Sequence, residues 1–283
     1  MKSTTNYWDN IERVKDFLNT ADAVLVGIGA GMSTAAGFTY SGERFHKYFD
    51  DFHKKYGITD MYSGGFYSFE SMEEYWAWWS RHIYYNRYDT PAGVPYVQLM
   101  NLLQDKNYFV ITTNVDHQMQ LAGVDKNRLY YMQGDYGLWQ CSEPCHQKTY
   151  DNEEQVRRMV NEQTDMKIPT ELIPHCPRCG ELMTMNLRID GTFVQDEGWY
   201  AAQNRYADFI ERYKDKKLIM LEIGVGYNTP MIIKYPFMRM AHDNIDALYV
   251  PINIEDQPIP FEIHKNTVSF NNDIQKVMND LLS

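Results

Sequence analysis

Four cysteines are the only ones in the 283 residues, and they fall in two close pairs, Cys141-x3-Cys145 and Cys176-x2-Cys179. Two pairs of thiolates presented from two turns suit a tetrahedral Zn2+ ion, and Pro177-Arg178-Cys179-Gly180 adds the tight turn of a knuckle. Four sulfur ligands leave no position for a catalytic water, so such an ion would be structural. A degraded site or a pair of disulfides is the alternative. His146 and His175 flank the quartet and read as surface or supporting residues rather than ligands. A second chemistry-bearing stretch is Gly27-Ile28-Gly29-Ala30-Gly31-Met32-Ser33. Gly29 and Gly31 carry no Cβ, so the backbone there can approach a pyrophosphate, and the N-terminus of a following helix offers free N–H groups. Ser33 can donate to a phosphate or cap that helix. The spacing is not the G-x-G-x-x-G of a hydride-transferring dehydrogenase, and a purely structural tight turn is an equal reading.

A third group is Asn114 and Asp116 in Thr112-Thr113-Asn114-Val115-Asp116, followed by Gln133-Gly134, by Gly224-Val225-Gly226-Tyr227-Asn228, and by Asn253. Each follows a short apolar run that reads as a buried strand: 23–27, 108–112, 129–132, 218–223 and 247–250, with 268–270 as a sixth. Helical spacing fills 11–20, 96–105, 199–213 and 274–282. Strands alternating with helices predict an α/β fold, a doubly wound parallel sheet of Rossmann-like type, whose strand ends form the ligand crevice. Turn capping accounts for any one of these polar strand ends but poorly for the set. Two stretches break the alternation. Residues 41–93 are aromatic-rich and read as a helical insertion; 135–185 hold the cysteines and read as a zinc-binding module, with a charged helix or loop at 151–165. The Rossmann-like domain is then 1–40, 94–134 and 186–283.

A formal net charge of −11 repels phosphate backbones and argues against nucleic-acid binding. No apolar run reaches the roughly 18–20 residues of a membrane span, and the polar start at residues 1–10 lacks a signal-peptide core. A soluble, cytoplasmic protein is expected.

Taken together, these motifs resemble the sirtuin family of NAD-dependent enzymes. The family's G-A-G-x-S turn is matched by Gly29-Ala30-Gly31-Met32-Ser33, its T-Q-N-x-D by Thr112 to Asp116, its cysteine pairs by Cys141, Cys145, Cys176 and Cys179, and its late glycine turn and I-N by Gly224 to Pro230 and Ile252-Asn253. The resemblance implies NAD as a consumed substrate and a structural Zn2+. It assigns Gly29, Ala30, Gly31 and Ser33 to the pyrophosphate and Asn114 and Asp116 to the nicotinamide and its ribose. Gln133 falls to the ribose hydroxyls, and Gly224, Asn228 and Asn253 to the adenosine half. Arg44 and Phe45 are expected to close a loop over NAD, and Arg188 to steer a phosphate or an acidic acceptor, with a surface salt bridge as the alternative.

The departures matter most. The family's catalytic histidine, in an H-G pair, is replaced by Gln133 before Gly134; the glutamine of T-Q-N is Thr113; the P-D-F-R after the first turn is replaced by 37–45. This glutamine-bearing pattern is similar to the class M microbial sirtuins, encoded beside macrodomain proteins and associated with ADP-ribosylation of a lipoyl-carrier protein. A carboxamide donates and accepts hydrogen bonds but takes no proton, and losing a general base costs about 10²–10⁴-fold. Gln133 therefore leaves nicotinamide cleavage possible while impairing deacylation, which needs a hydroxyl deprotonated. The expected function is therefore an NAD-dependent protein ADP-ribosyltransferase acting on an acceptor protein, a lipoylated glycine-cleavage-H-like carrier, with a macrodomain protein as functional partner. A lysine deacylase using Thr39, Tyr40 or a nearby histidine as base, an NAD hydrolase or sensor, and a non-enzymatic NAD-binding module are the alternatives.

Overall fold

The computed structural model describes residues 4–283. Nine strands are numbered in chain order: β1 (Ala23–Ile28), β2 (Tyr108–Thr112), β3 (Leu129–Tyr131), β4 (Gly134–Cys141), β5 (Tyr150–Asp151), β6 (Met183–Leu187), β7 (Leu218–Ile223), β8 (Leu248–Asn253) and β9 (Phe270–Asn271). Six of them form one sheet in the order β3-β2-β1-β7-β8-β9, with every pair parallel. Val26 sits between Val110 and Leu221 in this register. The chain runs outward from β1 to β2 and β3 on one side, then returns to place β7 on the other. The connections leaving the carboxyl ends of β1 and β7 therefore run to opposite sides of the sheet, which makes this edge the switch point where a ligand crevice is expected.

Both faces of the sheet are covered, which is why β1 reads as an unbroken apolar run and β7 as one broken only by Glu222. On one face Val24, Val26, Ile28, Ile219 and Leu221 pack against Ile11, Val14 and Leu18 of helix α1 (Thr4–Thr20), and against residues of the later helices that carry Leu99 and Val277. On the other, Leu25, Phe109 and Met220 meet Trp199 and Phe237. The helix carrying Phe237 spans Lys234–Asp243 and has no strong sequence signal, because Lys234 falls on its buried side. Lys234 is tolerated there because its ammonium is paired with buried Glu222, which also accepts from the Tyr249 hydroxyl at 2.7 Å.

The remaining strands form a separate antiparallel sheet, β5-β4-β6, which the alternating pattern does not predict. It shares one core with the helical insertion: Phe45, Phe49, Phe52, Trp76 and Trp78 pack with Tyr136, Trp139, Val156, Met159 and Met185. The two interruptions of the sequence pattern thus fold onto each other, each supplying the apolar surface that the other lacks. The charged stretch within the second interruption forms the helix Glu153–Glu162, whose Val156 and Met159 enter this core. Among the described residues no helix is long and apolar enough to cross a membrane.

Candidate active site

The turn after β1 is built by backbone contact. A short helix, α2 (Ala30–Ala35), follows with Gly29 as its N-cap. A Cβ on Gly29 would lie 2.6 Å from the Gly224 carbonyl oxygen, and one on Gly31 would lie 2.7 Å from the Gly224 Cα. Gly224, at the end of β7, has φ +64°, and its own Cβ would lie 2.3 Å from the Met32 nitrogen. The Gly31 N–H donates to the Gly224 carbonyl at 2.9 Å and the Gly29 N–H to the Ile223 carbonyl at 3.0 Å. Two glycine turns far apart in sequence are therefore interlocked at the switch point, and only glycine fits at their contact. Here glycine serves turn-to-turn packing first, and the amides of Gly29 and Gly31 are already in use.

Beside this turn is a cavity of about 270 Å³ lined by Ala30, Ser33, Thr34, Phe38, Tyr40, Asn86, Thr113, Asn114, Val115 and Asp116. Its floor is one hydrogen-bond cluster. The Ser33 hydroxyl donates to Asp116 and lies 2.8 Å from the Tyr96 hydroxyl. The Asn114 carboxamide donates to the Gly29 carbonyl at 2.9 Å, and its nitrogen also lies 3.0 Å from both Ser33 Oγ and Tyr96 Oη. Ser33 therefore caps no helix; its side chain is buried and oriented toward Asp116. Burial pushes the Asp116 carboxyl above its ordinary range, and the hydrogen bonds from Ser33 and the Gln118 amide only partly offset it. No cation pairs with Asp116 among the described residues. The strained choice of a buried, unpaired carboxylate at a cavity wall marks a group kept for chemistry.

The other wall comes from the small module. Arg44 donates to the carbonyls of Thr39 at 3.1 Å and Tyr85 at 2.7 Å and to Asn86 Oδ1 at 2.9 Å. It braces the 39–42 loop against the π-helical turn Tyr84–Tyr88 through neutral acceptors only. Phe45 corrects the expectation placed on it. Its side chain is wholly buried among Phe49, Phe52 and Trp78, and so has no surface to lay over a ligand. The aromatic residues that line the cavity are Phe38 and Tyr40.

Gln133 lies between β3 and β4, half-buried, and does not line this cavity. Its carbonyl accepts from the Arg188 amide at 3.0 Å, which brings those two residues together at the exit of β6. Arg188 is exposed and makes no ion pair among the described residues, against the salt-bridge reading. Asn253, at the end of β8, donates to the Val225 carbonyl at 3.2 Å, and Asn228 is exposed on the loop after Gly224. These two lie by the second glycine turn, apart from the Asn114–Asp116 cluster.

Several residues escaped sequence reasoning. Tyr96 is one, with nothing in its helix to single it out. Another set is His117, Asp135 and Arg87: Asp135 is buried, accepts from Arg87 Nε and the Gly137 amide at 2.9 and 2.7 Å, and is bonded to His117 Nδ1. Burial alone would raise the Asp135 carboxyl; the His117 and Arg87 contacts outweigh it and hold the group below its usual value. His117 has φ +64°, a left-handed backbone that is uncommon outside glycine. Their positions directly after Asp116 and Gln133-Gly134 were the available signal.

The four cysteine sulfurs lie within 4.8 Å of one another. Cys141 and Cys179 are 3.5 Å apart and Cys145 and Cys176 3.7 Å. A disulfide needs about 2.05 Å, whereas a tetrahedron of bonds of about 2.3 Å gives sulfur–sulfur edges of about 3.8 Å. The set fits Zn2+, and the extra residue in Cys141-x3-Cys145 is accommodated.

Comparison with known proteins follows the same lines. The model of the Sir2 family matches residues 29–210. A Staphylococcus aureus protein named protein ADP-ribosyltransferase is 41% identical over 272 residues, covering 96% of this chain and 86% of that one. A probable bifunctional ADP-ribose hydrolase/ADP-ribosyltransferase of Fusarium oxysporum f. sp. cubense is 32% identical over 244 residues, which are 80% of this chain and 39% of that longer protein. Among solved structures, Sir2 with a p53 peptide and NAD+ matches with a TM-score of 0.57 at 18% identity over 96% of this chain and 97% of that one. A second Sir2 structure gives 0.60 at 19% identity over 96% of each chain. At these identities the structural matches speak to the fold alone.

Proposed function

The chain belongs to the Sir2 family, and we propose that it splits nicotinamide from NAD and transfers the ADP-ribose to an acceptor protein. The observation that carries this reading is Gln133, a carboxamide where the family resemblance expects an imidazole. The name of the Staphylococcus aureus relative supports the same direction. Breaking the nicotinamide–ribose bond needs charge stabilisation of an oxocarbenium-like centre, with nicotinamide leaving on the bonding electron pair. Asp116, oriented by Ser33 and Asn114, is the group we assign to that centre. Gly29, Ala30, Gly31 and Ser33 form the pyrophosphate side, and the Ser33 hydroxyl also orients Asp116. Gly224, Asn228 and Asn253 form the adenosine side, and Gln133 binds ribose hydroxyls at the mouth. Arg44 fixes the loop that roofs the cleft. A nucleophile on the acceptor then forms the new bond to ribose and loses its proton to solvent, with no deprotonated ribose hydroxyl required. Arg188, without an ion pair among the described residues and joined to Gln133 through the backbone, meets an acidic group of that acceptor.

The acceptor we favour is a lipoylated carrier of the glycine-cleavage-H type, with a macrodomain protein as functional partner, in the cytoplasm where NAD and zinc-binding thiolates coexist. The test is intact-mass analysis of lipoylated and unlipoylated carrier after incubation with NAD. Gain of one ADP-ribose on the lipoylated carrier is expected, together with stoichiometric nicotinamide. Equal nicotinamide release with and without carrier, and no mass gain, would instead identify a hydrolase.

A second reading has one observation behind it. His117, oriented by buried Asp135 one residue from Asp116, is an imidazole held in place near the cleft, and a lysine deacylase needs one. Efficient deacylation of an acyl-lysine peptide that disappears in His117→Asn would establish it.

A further inference from the structure

Tyr40 lines the cavity, and the only hydrogen-bond partner of its hydroxyl among the described residues is the hydroxyl of Tyr136, at 2.8 Å. The Tyr136 hydroxyl in turn lies 2.8 Å from Nε2 of His82. The three residues come from the 39–42 loop, from β4 and from the helix Met72–Ile83, so the chain of bonds ties all sides of the small module to the cavity. His82 and Tyr136 are buried, 2% and 5% exposed. The Nδ1 of His82 has no partner. The arrangement cannot carry a proton away, because it ends in a closed apolar site rather than at water. It can, however, fix which way the hydroxyls point.

Burial and the Arg44 charge keep His82 neutral, its pKa lowered to about 3. Its single ring proton is then on Nδ1 or on Nε2. A buried N–H without an acceptor is the costlier defect of the two, so the proton belongs on Nε2. Nε2–H donates to Tyr136, the Tyr136 hydroxyl donates to Tyr40, and the Tyr40 O–H is left to point into the cavity. We infer that Tyr40 is a substrate-contacting hydrogen-bond donor whose polarity is set by His82 through Tyr136. Its partner is an acceptor oxygen of the substrate, and on the reading proposed above that oxygen is the nicotinamide carboxamide carbonyl. A carboxamide needs a donor and an acceptor side by side. Tyr40 supplies the first and the Asp116 carboxylate the second, across a cavity whose Phe38, Val115 and Ala30 surfaces suit a flat aromatic ring.

The inference rests on NAD being the substrate, and the experiment separates the two. Nicotinamide release from NAD is compared with release from the analogue whose carboxamide oxygen is replaced by sulfur, a poor acceptor, in the wild type, Tyr40→Phe and Tyr136→Phe. Differences in intrinsic leaving-group reactivity cancel in the ratio of kcat/KM values. The wild-type preference for oxygen should exceed that of Tyr40→Phe by about 3- to 10-fold, the worth of one neutral hydrogen bond; any fall in melting temperature from the unpaired Tyr136 hydroxyl leaves this ratio unaffected. Tyr136→Phe should shift the ratio in the same direction, since Tyr40 is then free to turn its proton away. His82→Gln, which can still donate to Tyr136, should keep more of the preference than His82→Leu. An identical oxygen-to-sulfur ratio in wild type and Tyr40→Phe would overturn the inference while leaving NAD cleavage standing. Absence of both NAD binding and nicotinamide release in the wild type would remove the functional reading, and this inference with it.

Discussion

Asp116 shows at a single residue how function and stability oppose each other. A buried carboxylate with no cation is a liability that the fold tolerates through Ser33 and one amide. Its folded-state pKa is raised, so protonation favours the folded chain, and that contribution disappears as pH rises through the folded value. Asp116→Asn removes the buried charge and keeps an acceptor for Ser33, at the cost of the longer bond from the Gln118 amide. It should raise the melting temperature at pH 7, because the folded state then no longer holds a buried charge. The gain should shrink toward zero as the pH approaches the unfolded carboxyl value of about 3.9. Nicotinamide release should fall at least about 10²-fold in the same variant. Differential scanning calorimetry across pH, beside a nicotinamide assay, checks both halves; a variant destabilised at pH 7 would refute the account. Asp135 has the opposite sign. Its lowered pKa contributes stability above the ordinary carboxyl range, and that contribution is lost on acidification.

At the scale of elements, the contact between the turn after β1 and the turn after β7 fixes the crevice. Gly224 and Gly37 both have positive φ, +64° and +89°, but only Gly224 is crowded; nothing lies within 4 Å of a Cβ at Gly37. Gly37→Ala should therefore cost about 1–2 kcal/mol, the left-handed penalty alone. Gly224→Ala adds a backbone collision at Met32 and should cost about 3 kcal/mol or more, with loss of NAD binding. Urea titration of the two variants measures the difference. Equal destabilisation would mean that the interlock of the two turns has no energetic weight.

At the scale of the molecule, two bodies with separate cores meet at the cavity, and the cysteine cluster anchors the smaller one. Cys141 and Cys176 are themselves buried in its core, so metal and aromatic packing support each other. Zinc removal should loosen that body first. Trp76, Trp78, Trp79 and Trp139, four of the six tryptophans, report on it. Chelation in mild denaturant should shift the emission to the red and abolish NAD cleavage, while far-ultraviolet circular dichroism of the parallel sheet and its helices is largely retained. Loss of one zinc per chain by metal analysis without any emission change would show that the cluster supports nothing around it.

The sequence by itself determined the parallel sheet and the cysteine quartet. Strands buried on both faces must be apolar throughout, and ligands from two tight turns must sit close together in the chain, so both leave local patterns. It also marked Asn114 and Asp116, because strand ends in such a sheet face a crevice by topology. Only the tertiary structure decided which side chains share the cavity. Asn86 reaches it, and Tyr96, Tyr136 and His82 hold its lining residues from behind, all from elements distant in the chain, and no local spacing encodes that meeting. Tertiary packing likewise withdrew Phe45 into the small-module core and turned the glycines against one another, since a residue's neighbours are set by how whole faces of apolar surface find each other rather than by its position along the chain.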